Sequence, residues 1–469
     1  MKSKNYLVGL MIIVLFFNTF IPLSYAELIN TYEIKSSERL SKGVVHGKIL
    51  RFTDKGWVNM NVLRIDLKEE YTALDVLVNK KGISKKDSLT GFASKSELSS
   101  KIIGVINGDF YDTRADSTIG PVVRNGNLIT SSKNCPEFAT FNIDKEGTPF
   151  IDYWKGNTLK LINTKNNYIL EIKYKNKSYV DGSIILLDKA WGKSSFGRET
   201  HNDIVEMVIV DDKIKEIRNN LEDVEIPPNG YIIAATGFDK KFILNNFSTD
   251  DKVSLEILSN PAFENLSLSI GGGAVILKDG NIPKTFSLEV RGRYARTALG
   301  ITRDKSEIII LTISNKKSPY IGVKQKELAK ILLELGAYDG INLDGGISTG
   351  MLIRHIGERG LTLVSGRDRR VMDGLAVLNT GPKSYLKKIL IGCKDKNISL
   401  GSPMIFTIRG YDENYNPVKI DVTKAKWSVQ GIKGKFIKNK FLPETTGLGT
   451  ITVIYKDKIA SIEIKVLEN

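Results

Sequence analysis

One stretch constrains the fold more than any other: residues 324–350 read KQKELAKILLELGAYDGINLDGGISTG. Four apolar side chains at helical spacing predict an amphipathic helix over residues 324–335, and they are Leu328, Ile331, Leu332 and Leu335. Gly336 supplies the left-handed residue that often ends a helix, and a short strand is predicted at residues 338–343. A glycine-rich turn follows directly. This succession holds polar side chains rigidly at a strand end while the turn stays accessible, which favours a functional site here.

Outward from this stretch the chain is β-rich. Three hairpins are predicted where Asn-Gly, Asp-Gly or Asp-Asp pairs separate apolar arms, at residues 122–129, 274–282 and 208–214. Residues 308–313 are apolar except for Thr312, which is typical of a strand buried on both faces. A second, shorter helix is predicted over residues 94–102, because Ser94 and Glu97 have the spacing of a capping box. The expected fold class is α+β, with a β-rich main domain and few helices.

The C-terminal part of the chain, residues 383–469, has a different sequence pattern. It consists of short alternating segments at regular spacing, which predicts an all-β sandwich. The expected strands lie at residues 404–408, 425–429, 449–454 and 461–466. Trp427 lies in one of these alternating strands. We therefore expect it to fill the core between two sheets, the alternative being an exposed ligand-binding tryptophan.

Composition excludes several classes of protein. The chain has 469 residues, 41% of them hydrophobic, which rules out a collagen, a disulfide scaffold, a polytopic membrane protein and a disordered chain. The length suggests two or three domains. Lysine and arginine number 68 against 53 acidic residues, for a formal net charge of +15. Such a charge is consistent with a nucleic-acid partner or an anionic wall polymer as partner, or it serves solubility alone.

The N-terminus resembles a secretory signal, predicted at residues 1–26. Two lysines precede an apolar run at residues 7–17, which is short for a membrane span, and cleavage is expected after Ala26. The alternative is an uncleaved anchor. Removing the signal removes two lysines and no acids, which leaves a net charge of 66 − 53 = +13. We expect a secreted or cell-surface protein, for which an anionic envelope polymer is a better partner than nucleic acid.

Cysteine and histidine offer no evident site. Cys135 and Cys393 fall in different predicted domains, so we expect two unpaired, buried thiols. No spacing of histidine and cysteine suggests zinc, and the histidines are expected to be structural: His46, His201 and His355.

Five polar, glycine-bearing stretches stand out at predicted strand ends. Each alone could be an ordinary polar turn, and Gly271–Gly273 a tight strand connection. Their polar and glycine residues are Asn107 and Asp109; Gly271, Gly272 and Gly273; Arg296 and Thr297; Asn342, Asp344, Gly345, Gly346, Ser348 and Thr349; and Arg369 with Asp373.

Together these stretches supply the groups needed to cleave an anionic, sugar-like substrate. A carboxylate can act as acid, base or nucleophile, and arginines can neutralise phosphate charge. Glycine N–H groups can approach an anion closely. Asp and Asn oxygens would also suit Ca²⁺ or Mg²⁺, so a metal is possible but no cofactor is certain.

In this order, the stretches resemble the phosphodiester glycosidase family. The resemblance covers roughly residues 85–380 and is most specific at Asn342-Leu343-Asp344-Gly345-Gly346 after the helix. It implies hydrolysis of a sugar-1-phosphodiester, of the N-acetylglucosamine type, to a free sugar and a phosphomonoester. It also implies Asp344 as the principal catalytic carboxylate, with Asp109 as a second candidate.

The resemblance implies further roles at the matching positions. Arg296 and Arg369 would bind phosphate, and Asn107 and Asn342 would orient the sugar or the loop. The remaining binding residues would be Gly271, Gly272, Gly273, Thr297, Gly345, Gly346, Ser348 and Thr349. Two positions depart from the family pattern, because Ile347 replaces a third glycine and Asp109 stands where many members have glycine. A β-branched residue disfavours positive φ, so the loop could be reshaped and the pocket narrowed.

The tail resembles bacterial Ig-like surface domains. The expected division is therefore a signal peptide at residues 1–26, a β-rich lead-in at 27–84, a phosphodiester glycosidase-like domain at 85–382 and an Ig-like domain at 383–469. The expected partner is a phosphate-linked glycan or an anionic envelope or exopolysaccharide polymer. The alternative function, which Ile347 favours, is a non-catalytic wall-binding surface protein with a degenerate site.

Overall fold

The structure is a computed structural model that describes residues 30–178, 182–315 and 318–468. The predicted signal at residues 1–26 lies outside the described residues. The described part forms four α-helices, namely Leu89–Lys95, Gly197–Thr200, Gly237–Asn246 and Gln325–Glu334. Nearly all other regular structure is β, in agreement with the predicted β-rich fold. None of the described helices combines the length and hydrophobicity needed to cross a membrane.

The largest element is a seven-stranded antiparallel sheet. In spatial order its strands are Asn30–Ser41, Val44–Thr53, Gly56–Asp66, Glu307–Ser314, Arg296–Ile301, Asp339–Asn342 and Val275–Leu277. The first three strands come from the predicted lead-in, so the lead-in is part of this sheet. Strand Glu307–Ser314 lies at its centre and is buried at seven of its eight residues, as the apolar run predicts. Its alternate residues Ile308 and Ile309 face two separate cores, which explains why the run hardly alternates.

The predicted helix and strand of residues 324–343 are confirmed. The helix spans Gln325–Glu334, and Leu328, Ile331 and Leu332 pack it against the seven-stranded sheet. Gly336 follows with φ +100°, as expected for a left-handed helix end. The strand that comes next, Asp339–Asn342, is fully buried at its last three residues.

Two five-stranded sheets share a core with the large sheet. One has the strand order Thr362–Gly366, Gly350–Ile353, Ile102–Asn107, Asp373–Asn379 and Thr72–Val78. The other has the order Pro149–Tyr153, Ala139–Asp144, Leu266–Gly271, Val122–Arg124 and Asn127–Thr130. Leu63, Val377 and Ile270, one from each sheet, belong to the same buried cluster. The core therefore forces the ends of strands from three sheets into one region.

The shorter helix differs from its prediction. It spans Leu89–Lys95 rather than residues 94–102 and begins after Ser88, whose Oγ accepts a hydrogen bond from the Gly91 N–H at 3.0 Å. The Ser94 hydroxyl instead donates to the Gly91 carbonyl within this helix. Burial of Leu89 and Phe92 stabilises the earlier start, and tertiary packing thus outweighs the capping pattern at Ser94.

Two of the three hairpins form as predicted, and the third forms in part. Strands Val122–Arg124 and Asn127–Thr130 pair across the Asn-Gly turn, and Ile204–Val210 pairs with Lys213–Asn219. At the Asp-Gly turn only Val275–Leu277 is a strand, and its second arm is reduced to a single bridge between Lys278 and Asn281.

Residues 157–259 form two further sheets with their own cores. A three-stranded sheet has the order Ile169–Ile172, Asn157–Asn163 and Val253–Ser259. A five-stranded sheet has the order Tyr174–Lys175, Ile185–Leu187, Gly230–Thr236, Ile204–Val210 and Lys213–Asn219. These sheets lie in sequence between two strands of the main core, so they form an insertion, called here the insert, defined as residues 157–259.

The tail is all-β, as predicted. One sheet has the strand order Lys388–Gly392, Thr407–Tyr411 and Pro417–Val418. A second has the order Asn397–Ser399, Lys458–Leu467, Gly447–Tyr455 and Lys426–Gln430. A third has the order Met404–Ile405, Lys440–Pro443 and Gly434–Ile437. Trp427 lies against Phe406 and Phe436, with both pairs of ring centroids 5.7 Å apart, as its predicted core role requires. The resemblance of this tail to Ig-like domains stays a prediction.

The smaller elements complete the description. A two-stranded ribbon pairs Tyr111–Asp112 with Ser117–Thr118, and the described residues also form 3₁₀ turns at Phe263–Asn265, Gly346–Ser348 and Val422–Lys424. Cys135 and Cys393 are unpaired, as predicted, but both are partly exposed rather than buried.

Candidate active site

All five polar stretches meet where strands from the three sheets end, and the third joins through the Thr297 hydroxyl, which donates to Asn107 Oδ1 at 2.8 Å. Asn107 ends the strand Ile102–Asn107 and pairs with Gly374 of the adjacent strand Asp373–Asn379. The Asp344 N–H donates to the Gly108 carbonyl at 3.2 Å, which joins the first and fourth stretches. The Asp109 N–H donates to Asp373 Oδ1 at 2.8 Å, which adds the fifth. A Cβ at Gly271 would lie 2.6 Å from Asp109 Oδ2, so the second stretch packs directly on this carboxylate.

Asp344 lies just beyond the strand Asp339–Asn342 and keeps partial contact with solvent. Its Oδ1 accepts a hydrogen bond from the Gly345 N–H at 2.8 Å, and the Ser348 side chain is a second partner. Burial raises the pKa of Asp344, and the contacts from Ser348 and Gly345 and the charge of Arg369 partly oppose this rise. Asp344 is thus an oriented carboxylate that can be reached from outside, as a base or nucleophile must be.

Asn107 fixes the loop that carries Asp344. Its Nδ2 donates to the Asp344 carbonyl at 2.8 Å, and its Oδ1 accepts from the Thr297 hydroxyl at 2.8 Å and the Gly350 N–H at 3.2 Å. The Thr297 hydroxyl also reaches the Thr349 hydroxyl at 3.4 Å. Asn107 is 1% exposed, so it orients the loop from beneath and does not face a substrate.

Asn342 likewise has a positioning role. Its Oδ1 accepts from the Ala274 N–H at 3.0 Å and from Gln325 Nε2 at 3.1 Å, and its carbonyl accepts from the Gly273 N–H at 2.7 Å. The amide is thereby locked between the glycine stretch and the start of the helix. Its 2% exposure places it behind the site and gives no direct access to a sugar.

The predicted anion cradle at Gly271–Gly273 is not supported by the backbone geometry. The Gly272 N–H donates to the Ala139 carbonyl at 2.9 Å and the Gly273 N–H to Asn342, so neither is free for an anion. The three glycines are instead required by close packing. A Cβ at Gly272 would lie 2.6 Å from Ile341 Cδ1, and one at Gly273 would lie 2.6 Å from Asn342 Nδ2.

Asp109 and Asp373 form a buried carboxylate pair beside Asp344. They are 2% and 1% exposed. Asp109 Oδ2 accepts from the Gly120 N–H at 2.6 Å, whereas Asp109 Oδ1 and Asp373 Oδ2 are buried without a hydrogen-bond partner among the described residues. Burial, and then the charge of Asp373, raise the pKa of Asp109, and burial raises the pKa of Asp373 to about 7. Such a pair can hold a proton near neutral pH.

Lys177 lies behind this pair, and sequence reasoning missed it. Its side chain is 0% exposed, and its Nζ donates to the Thr118 carbonyl at 2.7 Å, the Thr118 hydroxyl at 2.6 Å and the Gly120 carbonyl at 2.9 Å. Burial lowers the pKa of Lys177 to about 7, although the acids nearby oppose this change. Lys177 follows Lys173 and Lys175 in a lysine-rich segment typical of solvent-facing charge, so the sequence carries no signal that separates it from them.

The two predicted phosphate-binding arginines have different environments. The Arg296 guanidinium is 4% exposed and donates to the carbonyls of Val323, Val290 and Gly292 at 3.1, 3.0 and 2.9 Å. This geometry argues against a phosphate contact and gives Arg296 a structural role beneath the loop. Arg369 is exposed, and its charge lowers the pKa of Asp344. It is therefore the better placed of the two to meet an anionic substrate.

The loop after Asp344 accommodates Ile347 without the expected strain. Positive φ falls on Gly346, at +61°, and Ile347 is not among the described residues with positive φ. The Gly346 N–H donates to the Ala295 carbonyl at 2.8 Å, and the Ile347 side chain is 55% exposed. Ile347 therefore extends away from the buried pair, and the expectation of a reshaped loop is not supported.

Within the described residues, no group of three or more histidine, cysteine, aspartate or glutamate side chains is arranged to hold a metal ion. The possible Ca²⁺ or Mg²⁺ site stays a hypothesis. Gln325 is a further residue that sequence reasoning missed. It opens the helix and reaches Asn342, and no pattern of the sequence indicates that contact.

Part of the chain matches a known family. Residues 204–378 match the phosphodiester glycosidase family. The match covers less than half of the chain. It includes Gly271, Arg296, Asp344 and Asp373, whereas Asn107, Asp109 and Lys177 precede it. No curated protein matches the sequence.

Solved structures share the fold. A hypothetical protein from Synechocystis matches with a TM-score of 0.62 and 18% identity, over 74% of this chain and 64% of that protein. The chain therefore spans less than two thirds of that protein's length. A candidate exported protein of Burkholderia pseudomallei matches with a TM-score of 0.61 and 14% identity, over 77% of this chain and 98% of that one. At these identities the likeness establishes the fold alone.

A third structure is the catalytic domain of zebrafish N-acetylglucosamine-1-phosphodiester alpha-N-acetylglucosaminidase. It is 14% identical with a TM-score of 0.36, over 74% of this chain and 88% of that domain.

Proposed function

We propose that this chain is a hydrolase that cleaves a sugar-1-phosphodiester of the N-acetylglucosamine type to a free sugar and a phosphomonoester. The observation that carries the proposal is the position of Asp344. It is a partly accessible carboxylate, held by Gly345 and Ser348, at a strand end next to the buried pair Asp109 and Asp373. Asp344 and Asp373 both lie within the segment that matches the phosphodiester glycosidase family.

The chemistry of the substrate suits this arrangement. A phosphomonoester is a good leaving group, so stabilising the positive charge that develops on the sugar matters more than protonating the leaving oxygen. An ionised Asp344 would supply that stabilisation, as nucleophile or as base for water. Arg369 is the exposed cation beside it and would neutralise the phosphate.

The proposal extends to the rest of the chain. Residues 85–382 would form the hydrolase domain together with the lead-in at 27–84, and residues 383–469 would form an Ig-like module. With the signal at residues 1–26, the protein would act outside the cell or at its surface. Its substrate would be a phosphate-linked glycan or an anionic envelope or exopolysaccharide polymer, and not nucleic acid.

The test follows the oxygen of water during hydrolysis of the methyl phosphodiester of N-acetylglucosamine 1-phosphate. In ¹⁸O-labelled water a glycosidase places the label on the sugar, whereas a phosphodiesterase places it on phosphate. We expect labelled sugar, and Asp344→Asn should lose at least about a hundredfold in kcat. Asp339→Asn on the same strand is the matched control and should keep activity.

Two results would count against this function. Label on phosphate would exclude a glycosidase, and full activity in folded Asp344→Asn would exclude the assigned carboxylate. If purified wall polymer bound the protein and no phosphodiester were turned over, the non-catalytic surface protein would be the better description.

A further inference from the structure

Lys177 comes from the insert, whereas the other site residues named above lie outside residues 157–259. It follows the short strand Tyr174–Lys175, and its side chain leaves the insert to enter the region beneath Asp109. The backbone around it is anchored to the main core, since the Asn176 side chain donates to the Ile129 carbonyl at 2.7 Å. The insert thus places the ammonium group of Lys177 against Thr118 and Gly120 of the main domain.

The contacts of this cation are unusual for a buried lysine. All three donors of Nζ are used, and in the described part of the chain they go to oxygens of Thr118 and Gly120 that carry no charge. A fully buried ammonium without an adjacent carboxylate is costly unless an opposite charge lies within a few ångströms more. Two buried acids, Asp109 and Asp373, act on Lys177, and their charges favour its protonated form.

Gly120 connects the cation to the carboxylate pair. Its carbonyl accepts from Lys177 at 2.9 Å, and its N–H donates to Asp109 Oδ2 at 2.6 Å. Asp109 in turn donates its own N–H to Asp373 Oδ1 at 2.8 Å. Hydrogen bonds to the backbone of Gly120 and Asp109 therefore link Lys177 to both carboxylates.

Charge balance limits the protonation states that Asp109, Asp373 and Lys177 can adopt together. Two carboxylates buried together with one ammonium would carry a net negative charge if both were ionised, and two adjacent buried carboxylates resist double ionisation. The orphaned oxygens, Asp109 Oδ1 and Asp373 Oδ2, have room for a proton but no donor among the described residues. The other charged or titratable groups that act on this cluster are Asp344, Lys133 and Cys135.

We propose that Lys177 is a positioning residue for the buried carboxylate pair, and that its charge keeps one of Asp109 and Asp373 ionised while the other holds the pair's single proton. The proton belongs to the pair and is not assigned to either oxygen. Asp344, which is closer to solvent, is then free to be the ionised carboxylate. The consequence for catalysis rests on the proposed function, whereas the protonation of the pair does not.

The direct test is infrared difference titration, which detects protonated carboxyl groups without any substrate. At about pH 6 the wild-type protein should show a protonated carboxyl that Asp373→Asn lacks, because Asp109 alone then balances Lys177. In Lys177→Met this signal should persist to a pH about one unit or more above the wild-type limit. Lys175→Met removes a neighbouring lysine that pairs with Asp188, and it should titrate like the wild type.

Two outcomes overturn the proposal. One is a wild-type protein with no protonated carboxyl above about pH 5, and the other is loss of the signal at the same pH in the wild type and Lys177→Met. If Lys177→Met does not fold, Lys177→Gln is judged by the same criterion, since its amide can still donate to Thr118 or Gly120.

Kinetics give a second measurement. Lys177→Met should shift the pH profile of kcat upward by about one unit with little change in KM, and Lys177→Arg should restore part of the profile. If the wild-type protein cleaves no phosphodiester, the proposed function fails, and the titration still decides the role of Lys177.

Discussion

The side-chain amide of Asn107 donates to the backbone carbonyl of Asp344 at 2.8 Å, across 237 residues of sequence. The same side chain accepts from Gly350, so one buried amide closes both ends of the loop that presents the carboxylate. The orientation of Asp344 therefore depends on a residue that no substrate needs to touch.

Asn107→Ala should reduce both stability and activity. The substitution removes the acceptor of the Gly350 N–H and the closer of the two acceptors of the Thr297 hydroxyl, which should cost about 2–3 kcal/mol in the free energy of unfolding. It also releases the carbonyl of Asp344, so kcat should fall while the enzyme is still folded. Asn379→Ala is the control, because Asn379 is an equally buried amide that contacts Asn414 far from the site. It should lower stability and leave kcat unchanged, as measured by urea unfolding and sugar release.

Ser348→Ala should change the pH at which Asp344 ionises. The Ser348 contact lowers the pKa of Asp344 against the rise caused by burial, so its removal should raise that pKa. If ionised Asp344 is the active form, the acidic limb of the activity profile should move to higher pH, by up to about one unit. Ser365→Ala is the control, since this buried hydroxyl has no partner among the described residues. Equal profiles for the wild type and Ser348→Ala would mean that Asp344 does not set the limb.

Stability should fall as the pH rises from about 4 to about 7, because of the buried pair. The pKa of Asp373 rises from 3.8 unfolded to about 7 folded, so the native state binds more protons than the unfolded state in this window. The favourable contribution is complete below the unfolded value and is lost as pH passes the folded value. Asp109 acts in the same direction. Urea unfolding at fixed ionic strength should show a loss of a few kcal/mol in the wild type and a flatter curve in Asp373→Asn.

The strands and the helix beneath the site could be predicted because their signals are local. The helical spacing of Leu328 and its apolar partners indicates a helix that is buried on one face. The uninterrupted apolar run at Ile308 indicates a strand that is buried on both faces. The start of the first helix was missed because packing of Phe92 decided it, and the cap at Ser94 did not. The residue at which a short helix begins depends on contacts with residues that lie far away in the sequence.

The membership of the site was predicted better than the roles within it. Asn107, Asp109, Asp344 and Asp373 do meet, because strand ends gather polar residues at one edge. Arg296, in contrast, looks like a ligand-binding arginine in the sequence, yet its guanidinium donates hydrogen bonds to three backbone carbonyls. Composition does not reveal whether a charged group faces a ligand or its own backbone.

Arg369 and Arg296 should therefore respond differently to substitution. Arg369→Gln removes an exposed charge near Asp344, so stability should change by less than about 0.5 kcal/mol while KM for the phosphodiester rises about tenfold. Arg367→Gln, an exposed neighbour in the same loop, is the control and should leave KM unchanged. Arg296→Met should instead lower the free energy of unfolding by about 2–4 kcal/mol, because a buried guanidinium and its three hydrogen bonds to backbone carbonyls are lost. Unchanged KM in Arg369→Gln would remove this arginine from the substrate site.

Gly271→Ala tests whether the glycine stretch serves packing or anion binding. A Cβ at this position would lie 2.6 Å from Asp109 Oδ2, and Asp109 is fixed by Gly120 and cannot easily move. The clash should cost more than about 2 kcal/mol in stability and displace the carboxylate, so kcat should fall with it. Gly360→Ala is the matched control, because nothing lies within 4 Å of its Cβ and its φ is not positive. If Gly271→Ala kept full stability and instead raised KM alone, the stretch would contact substrate after all.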